Sequence, residues 1–484
     1  MSFATPAATS SYFQRFANQG ARVPHALLGA TELTVSRFGF GTYRVHEFDP
    51  DHRHALEKAL LGGINLIDTS ANYTDGSSER LIGEVTSELF AQGKLKREEI
   101  VFVTKAGYLQ GVNLKRAKEL GGAKAYPDMV EYQSDCWHNI SPEFLAEQIT
   151  QSLARLKIET IDVLLLHNPE YFLKTSVNRE QYYARIEKAF RHLETERERG
   201  RIRYYGVSSN TFPEPEAKTD FTSLSRLVEI SRRISKTPRF AVIQLPFNLY
   251  EAGGALIKNN QGLSTFELAA REKIGVLTNR PFNSIEKGRL VRLTSFPSHD
   301  PVEIKGLLHT AIGRAVELER KAPEASKGGA SLTWAQRLRD KMGEIDDLLM
   351  WKESLAVQIM PAIRASIARV PLSAESWRTE YSTALQEVLN LITQDLENHQ
   401  SQKTQILIDQ ITQLGPELKS SRTLSRMMAR LYLSFPQITT ILAGLRTPAY
   451  VEDLLQSELP GNPAPLLSEA QAIDIVARSQ RHRL

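Results

Sequence analysis

Short, continuous apolar runs punctuate the first two-thirds of the chain: "RFGFGTY" (37–43), "INLID" (64–68), "IVFVTK" (100–105), "IDVLLLH" (161–167), "IRYYGVSS" (202–209), "AVIQLPF" (241–247) and "IGVLTN" (274–279). An eighth, "ITTILAG" (438–444), follows much later. Runs of this length that do not alternate with polar residues are the pattern of strands covered on both faces, as in a parallel sheet under helices. The segments between them have helical character. "DHRHALEKALLGG" ends at a glycine pair, and "SPEFLAEQITQSLARLKI" opens with Ser141 as N-cap and Pro142 at the first helical position. "REQYYARIEKAFRHLETERERG" carries basic residues late and stops at Gly200. Eight such units predict a (β/α)8 TIM barrel. A doubly wound open sheet is the alternative, and the turn "GFGTYR" counts against it because it is not G-x-G-x-x-G. The stretch "HALLGATELTVSRFG", with turn residues near Gly29 and Ala30, reads as a small hairpin plugging the barrel floor.

From about Ser284 to Ser420 strand signals give way to amphipathic helical patterns, predicted at about 301–320, 331–369, 374–398 and 403–414. Asp300-Pro301-Val302-Glu303 reads as a capping box. Trp377, Tyr381, Leu385, Val388, Leu389, Ile392 and Leu396 mark one helix face. Pro361 is expected to kink or break the second helix, and 321–331 to form a loop. The expected organisation is an N-terminal tail (1–25), a barrel (26–283), an inserted α-helical subdomain (284–420) and barrel completion (421–484). Loops after barrel strands form the active-site face, so the insertion is expected on or beside it.

Composition narrows the picture. The 60 basic and 56 acidic residues leave a net charge of +4, which gives no footprint for nucleic acid or an anionic membrane. No apolar run approaches the roughly 18 residues of a membrane-spanning helix. A single cysteine, Cys136, excludes an internal disulfide and suits a reducing compartment. A cytoplasmic location is the expectation. The opening segment, without an acid before Glu32, also resembles an organellar transit peptide, though a mobile polar tail is the preferred reading. Cys136 and His138 are two candidate metal ligands without a third, so no metal is expected.

Polar residues at the C-terminal ends of barrel strands are the site candidates. Asp68 closes the second run with Tyr73 on the loop after it, Lys105 closes the third, and His167 the fourth. Ser209 and Asn210 end the fifth, and Gln244 lies in the sixth. Each alone has a structural explanation. Together, an ammonium beside a phenol favours the phenolate and lowers the tyrosine pKa, while an aspartate keeps the ammonium charged. The expected product is a tyrosine that exchanges protons near neutral pH. A proton delivered to a carbonyl oxygen pairs with a hydride delivered to its carbon, which calls for a nicotinamide cofactor.

"GFGTYR", "GINLIDTSANYTDGSSERLIGE", "FVTKAG", "IDVLLLHNPE", "RYYGVSSN", "IQLPFNLYE", "GVLTNRPFN" and "TTILAGLRTPAYVEDLL" resemble, in order, the motifs of the aldo-keto reductase family. The resemblance covers about 26–283 and 421–456. It implies a barrel that binds NADP(H), or NAD(H), and reduces aldehydes, ketones or sugars or oxidises the alcohols. It implies Tyr73 as proton donor, with Asp68, Lys105 and His167 completing the tetrad. Gly41, Thr42 and Tyr43 match residues near the cofactor. Ser209, Asn210 and Gln244 match the nicotinamide-carboxamide contacts, and Phe247 the aromatic that stacks on the nicotinamide. Arg280 and Phe282 match the pyrophosphate loop, and Gly444, Arg446 and Tyr450 the adenosine end. The chain departs from the family in having Phe247 for a common Tyr, Tyr450 for Arg or Gln, and Leu454 for Asn. NADP(H) is the favoured cofactor through Arg446, and the expected partner is a small-molecule carbonyl or sugar. The second reading is a nucleotide-binding, reductase-like regulator acting through 284–420, by analogy with family members that are channel subunits. That segment is also a candidate surface for a homo-oligomer or a protein partner.

Overall fold

The computed structural model describes residues 2–18, 23–286, 289–323, 332–421, 423–455 and 466–482. Eight parallel strands close into a barrel: β1 (Phe38–Gly41), β2 (Leu66–Asp68), β3 (Val101–Ala106), β4 (Ile161–His167), β5 (Ile202–Ser208), β6 (Phe240–Pro246), β7 (Gly275–Asn279) and β8 (Thr440–Ala443). They pair in chain order, and β8 closes on β1 through Ile441 opposite Phe38. Every residue of β3, β4 and β6 is buried, which is why their sequences read as unbroken apolar runs. The predicted (β/α)8 barrel is therefore the observed fold.

The floor hairpin also forms, with His25–Leu27 antiparallel to Thr34–Ser36. Leu28, Leu33 and Val35 pack against Leu66, Val101 and Leu277 inside the barrel. Gly29 has φ +54°, and a Cβ there would lie 2.4 Å from the backbone nitrogen of Gly275. Only glycine allows the hairpin turn to sit that close to the start of β7. Helix Pro142–Leu156 begins as predicted, with the Ser141 side chain accepting from the Phe144 N–H.

Residues 294–413 form a second compact unit, while 1–293 and 414–484 form the first. The boundary falls later than the expected position 284. Asn283–Glu286 and Arg289–Arg292 make an antiparallel hairpin that belongs with the barrel. The second unit is helical, with its own buried cluster. Helix Pro301–Arg320 is capped by Asp300, whose Oδ1 accepts from the N–H groups of Val302 and Glu303. Tyr381, Leu385, Val388, Leu389, Ile392 and Leu396 are buried along one face of Glu375–Leu414. That helix is a single element of 40 residues where two were expected. The intervening "NHQSQK" is polar but holds no glycine or proline, so nothing breaks the backbone ladder. The expected break at Pro361 takes the form of a π-helical turn, Leu355–Ile359, immediately ahead of it. A wider turn accommodates the hydrogen bond that proline cannot make. Most of the 321–331 loop lies outside the described residues.

Candidate active site

Asp68 is the last residue of β2, and Lys105 is the penultimate residue of β3. Both side chains are buried. Lys105 Nζ donates to Asp68 Oδ2 at 2.8 Å, to the Thr69 carbonyl at 2.7 Å and to the Tyr73 hydroxyl at 3.4 Å. Gln244 Nε2, from β6, donates to the other Asp68 oxygen at 2.7 Å. Burial draws the Lys105 ammonium down, but the charge of Asp68 and the phenol of Tyr73 outweigh it and hold the pKa above its ordinary value. The lysine is thus a fixed cation in a dry place.

Tyr73 is half-buried at the start of a tight turn, Tyr73–Gly76, in which Thr74 and Asp75 take left-handed backbone angles. Short polar side chains and Gly76 make that turn tolerable. The ring of Tyr73 meets His167 edge-on at 6.0 Å between centroids and Tyr43 at 5.4 Å. The expected depression of the Tyr73 pKa is not the net result. Burial raises it by more than the Lys105 charge lowers it, so the phenol holds its proton. His167 closes β4, and its Nδ1 lies 3.0 Å from Ser70 Oγ. Burial, with the charge of Lys105 and then His138, keeps His167 well below its ordinary pKa and hence neutral. Asp68, Tyr73, Lys105 and His167 are therefore brought together.

Other expected residues fall differently. Thr42 Oγ1 donates to the Asp68 carbonyl at 2.9 Å, and Gly41 pairs in register with Asp68. Tyr43 is 64% exposed beside Tyr73. Ser209 does not face Gln244. Its hydroxyl is held by Thr211 and Thr222, and Ser208 reaches Gln244 Oε1 at 3.2 Å instead. Alternation along a strand puts neighbours on opposite sides, so Ser208 and not Ser209 turns its side chain to Gln244. The same parity removes Phe247 from the site. Gln244 faces inward, so Phe247, an odd step further on, faces out. It is fully buried against Phe266, Tyr432 and Phe435 and has no free face on which a ring could stack.

Asn210 lies just beyond β5, and its Oδ1 accepts from Arg280 Nη2 at 3.1 Å. Arg280, with φ +57°, also pairs with Glu251 at 3.1 Å. Phe282 stands at the foot of the extra hairpin, where its carbonyl accepts from the Leu293 N–H. Gly444 follows β8, Arg446 is half-buried two residues on, Tyr450 is exposed on helix Pro448–Leu455, and Leu454 is buried. Cys136 and His138 share the strand Cys136–His138, and His138 Nε2 bonds the His167 carbonyl at 2.7 Å. Of the long loop after β3, Tyr126 and Trp137 join a buried cluster with Leu109 and Phe144, while Tyr132 packs on Tyr171.

Some residues of the site escaped the sequence reading. Asn279 ends β7 and donates to Gln244 Oε1 at 3.4 Å, while its own Oδ1 is buried without a partner. The strand-end rule would have found it. Arg292, on the extra hairpin, has a buried Nε without a partner. Burial pulls its pKa down, and the charges of Arg446 and Arg44 act on it in the same direction. Among the described residues no carboxylate pairs with Arg292 or Arg446. Guanidinium groups close enough to repel, without an acid between them, suit a polyanion.

The model of the aldo/keto reductase family matches residues 37–299, and the chain belongs to that family. It is 32% identical over 148 residues to the NADH-specific methylglyoxal reductase of Escherichia coli strain K12, covering 29% of this chain and 40% of that protein. It is 29% identical over 188 residues to D-threo-aldose 1-dehydrogenase of a Pseudomonas species, covering 37% and 52%. The chain thus spans about half the length of the curated relatives it matches. An aldo-keto reductase of Bacillus halodurans, solved in its holo form, aligns over 94% of this chain and 96% of its own, at 16% identity and a TM-score of 0.48. Among the described residues no single helix is long and apolar enough to cross a membrane.

Proposed function

We propose that the chain is an NAD(P)H-dependent oxidoreductase acting on a small carbonyl or its alcohol, an aldehyde, ketone or sugar, with Tyr73 as the proton donor and acceptor. The observation that carries this is the position of Lys105 Nζ, within hydrogen-bonding distance of both Asp68 Oδ2 and the Tyr73 hydroxyl. A neutral phenol next to a fixed cation can give up its proton to a carbonyl oxygen, because the phenolate left behind is stabilised by the ammonium. Asp68, anchored by Gln244, prevents Lys105 from turning away or losing its charge.

A nicotinamide dinucleotide suits the residues present. The orphaned Asn279 Oδ1 can accept from a carboxamide N–H, next to Ser208 and Gln244. Arg280, Arg292 and Arg446 offer guanidinium groups for phosphates. Bound there, the cofactor would supply the hydride, while this chain orients the substrate oxygen and moves its proton. Arg292 and Arg446, with no carboxylate partner among the described residues, favour a third phosphate, hence NADP(H) over NAD(H), although one relative is described as NADH-specific. The test is Tyr73→Phe. Carbonyl-dependent oxidation of NADPH should vanish while NADPH binding, read by its fluorescence, stays within twofold. A Tyr73→Phe enzyme as active as the parent overturns the proposal.

A further inference from the structure

The three residues after Tyr73 all take left-handed backbone angles: Thr74 at φ +46°, Asp75 at +53° and Gly76 at +79°. Only the third is a glycine, so the turn is strained and persists because its surroundings hold it. One hold is Arg155, near the end of helix Pro142–Leu156. A Cβ on Gly76 would lie 2.8 Å from Arg155 Cδ and 3.0 Å from Nε, so the glycine rests directly on that side chain.

Arg155 is fixed in turn by a carboxylate that stands outside the tetrad. Its Nε donates to Glu79 Oε2 at 2.6 Å, and Ser152 Oγ donates to the same oxygen at 3.2 Å. The other oxygen, Oε1, accepts from Thr104 Oγ1 at 2.6 Å. Glu79 is fully buried, the third residue of helix Ser77–Ala91, into which the Tyr73 turn leads. Thr104 precedes Lys105 in β3, and alternation sends the two side chains to opposite faces of the strand. One carboxylate therefore spans from the strand that carries Lys105 to the arginine against the turn that carries Tyr73. A second link runs beside it. Ser78 Oγ and Thr69 Oγ1 lie 3.0 Å apart, and the Thr69 carbonyl accepts from Lys105 Nζ.

The contact that this bracket sets is a long one. Lys105 Nζ stands 2.8 Å from Asp68 Oδ2 but 3.4 Å from the Tyr73 hydroxyl, past the usual span of N–H···O. A further shift of a few tenths of an ångström would break it, and with it much of the support that the ammonium gives to the phenolate.

We propose that Glu79, held between Thr104 and Arg155, is a positioning residue that sets the separation of Lys105 from the Tyr73 hydroxyl. This rests on the reading of Lys105 and Tyr73 as the proton-transfer pair. Loosening the bracket should slow the chemistry and leave binding alone.

Thr104→Val tests this, because it removes one hydroxyl, keeps the branched side chain and leaves the Glu79–Arg155 pair in place. With NADPH and glyceraldehyde, the single-turnover rate should fall about tenfold, the cost of one buried hydrogen bond felt in the transition state. KM and the affinity for NADPH should stay within twofold. Oxidation of glycerol needs Tyr73 as phenolate, so the rising limb of its pH–rate profile should move up by about half a pH unit or more. Thr104→Ser, which restores the hydroxyl, should recover both. Glu79→Ala cuts both links and should lose more, about a hundredfold, and Thr104→Val decides alone where that variant does not fold. A rate within twofold of the parent in Thr104→Val, or in folded Glu79→Ala, overturns the proposal. A slower rate with an unmoved pH limb, or an equal loss in NADPH affinity, marks a merely structural role and also overturns it. A crystal structure of Thr104→Val gives a readout apart from activity: Lys105 Nζ should stand beyond about 3.5 Å from the Tyr73 hydroxyl. An unchanged separation overturns the proposal. If the parent turns over neither probe, the proposed reaction is at fault, and that separation still decides the role of Glu79.

Discussion

Lys105 Nζ lies 2.8 Å from Asp68 Oδ2, and both side chains are closed off from solvent. A buried pair of this kind contributes little net stability as a pair, yet removing one partner strands the other charge. Lys105→Met should therefore lower the unfolding free energy by about 3–5 kcal/mol in urea titrations. The double variant Asp68→Asn/Lys105→Met should recover most of that loss, since no isolated charge remains. Neither variant should turn over substrate. A double variant no more stable than Lys105→Met would mean that the two groups are not coupled.

Glu170 gives the protein a pH dependence of its own. It is fully buried three residues after His167, and Oε1 accepts from the Asn210 N–H at 2.9 Å. Burial pushes its pKa up from 4.5 to about 7, against the hydrogen bonds from Asn210 and Ser209 and the charge of Lys174. Between those two values the folded state holds a proton that the unfolded chain has released. The stability linked to this group is therefore complete below about 4.5 and lost as pH rises through about 7. A shift of that size corresponds to about 3 kcal/mol. Glu170→Gln, which cannot ionise, should gain on the parent in thermal stability between pH 5 and about 8 by roughly that amount. Parallel curves for the two proteins across that range would disprove it.

The close crossing of two barrel helices rests on a glycine. In helix Ser77–Ala91, a Cβ on Gly83 would lie 2.3 Å from the Arg155 carbonyl oxygen and 2.8 Å from the Leu156 carbonyl carbon. Both are backbone atoms of the neighbouring helix end and cannot swing aside. Gly83→Ala, ordinarily favourable inside a helix, should instead destabilise by about 1–3 kcal/mol through overpacking. Chemical denaturation would reveal it, and a stabilised variant would show that the two helices separate easily.

The barrel was readable because its strands are buried on both faces, and burial of that kind leaves an unbroken apolar run. Asp68, Lys105 and His167 were readable because each follows or ends such a run. What escaped depended on parity and on distance along the chain. Ser208 and Ser209 are adjacent and chemically identical, and only the side-chain alternation that brings Ser208 to Gln244 separates them. Phe247 had the right chemistry but faces the helices. Arg292 lies on a hairpin too short and too polar to announce itself, where the pattern predicted only the start of a helical segment. The sign of the Tyr73 shift depends on how much water the folded site excludes, which no spacing of residues expresses.

Arg292 and Arg446 offer the last test, because their mutual repulsion should be relieved by the anion they attract. Burial and the charges of Arg446 and Arg44 together lower the Arg292 pKa, so the Arg292 guanidinium is costly where it stands until a counter-ion arrives. A monoester phosphate, with about two negative charges, suits a pair of guanidinium groups better than the single charge of a diester. Arg446→Gln and Arg292→Gln should each weaken NADPH by about tenfold, in line with one charge-assisted hydrogen bond, and leave NADH within about threefold. The preference for NADPH in the parent should also shrink as salt rises, since the cluster is partly open to solvent. Fluorescence titration with both nucleotides gives the ratio directly. Equal losses for NADPH and NADH would move the two arginines from the third phosphate to the pyrophosphate that both cofactors share.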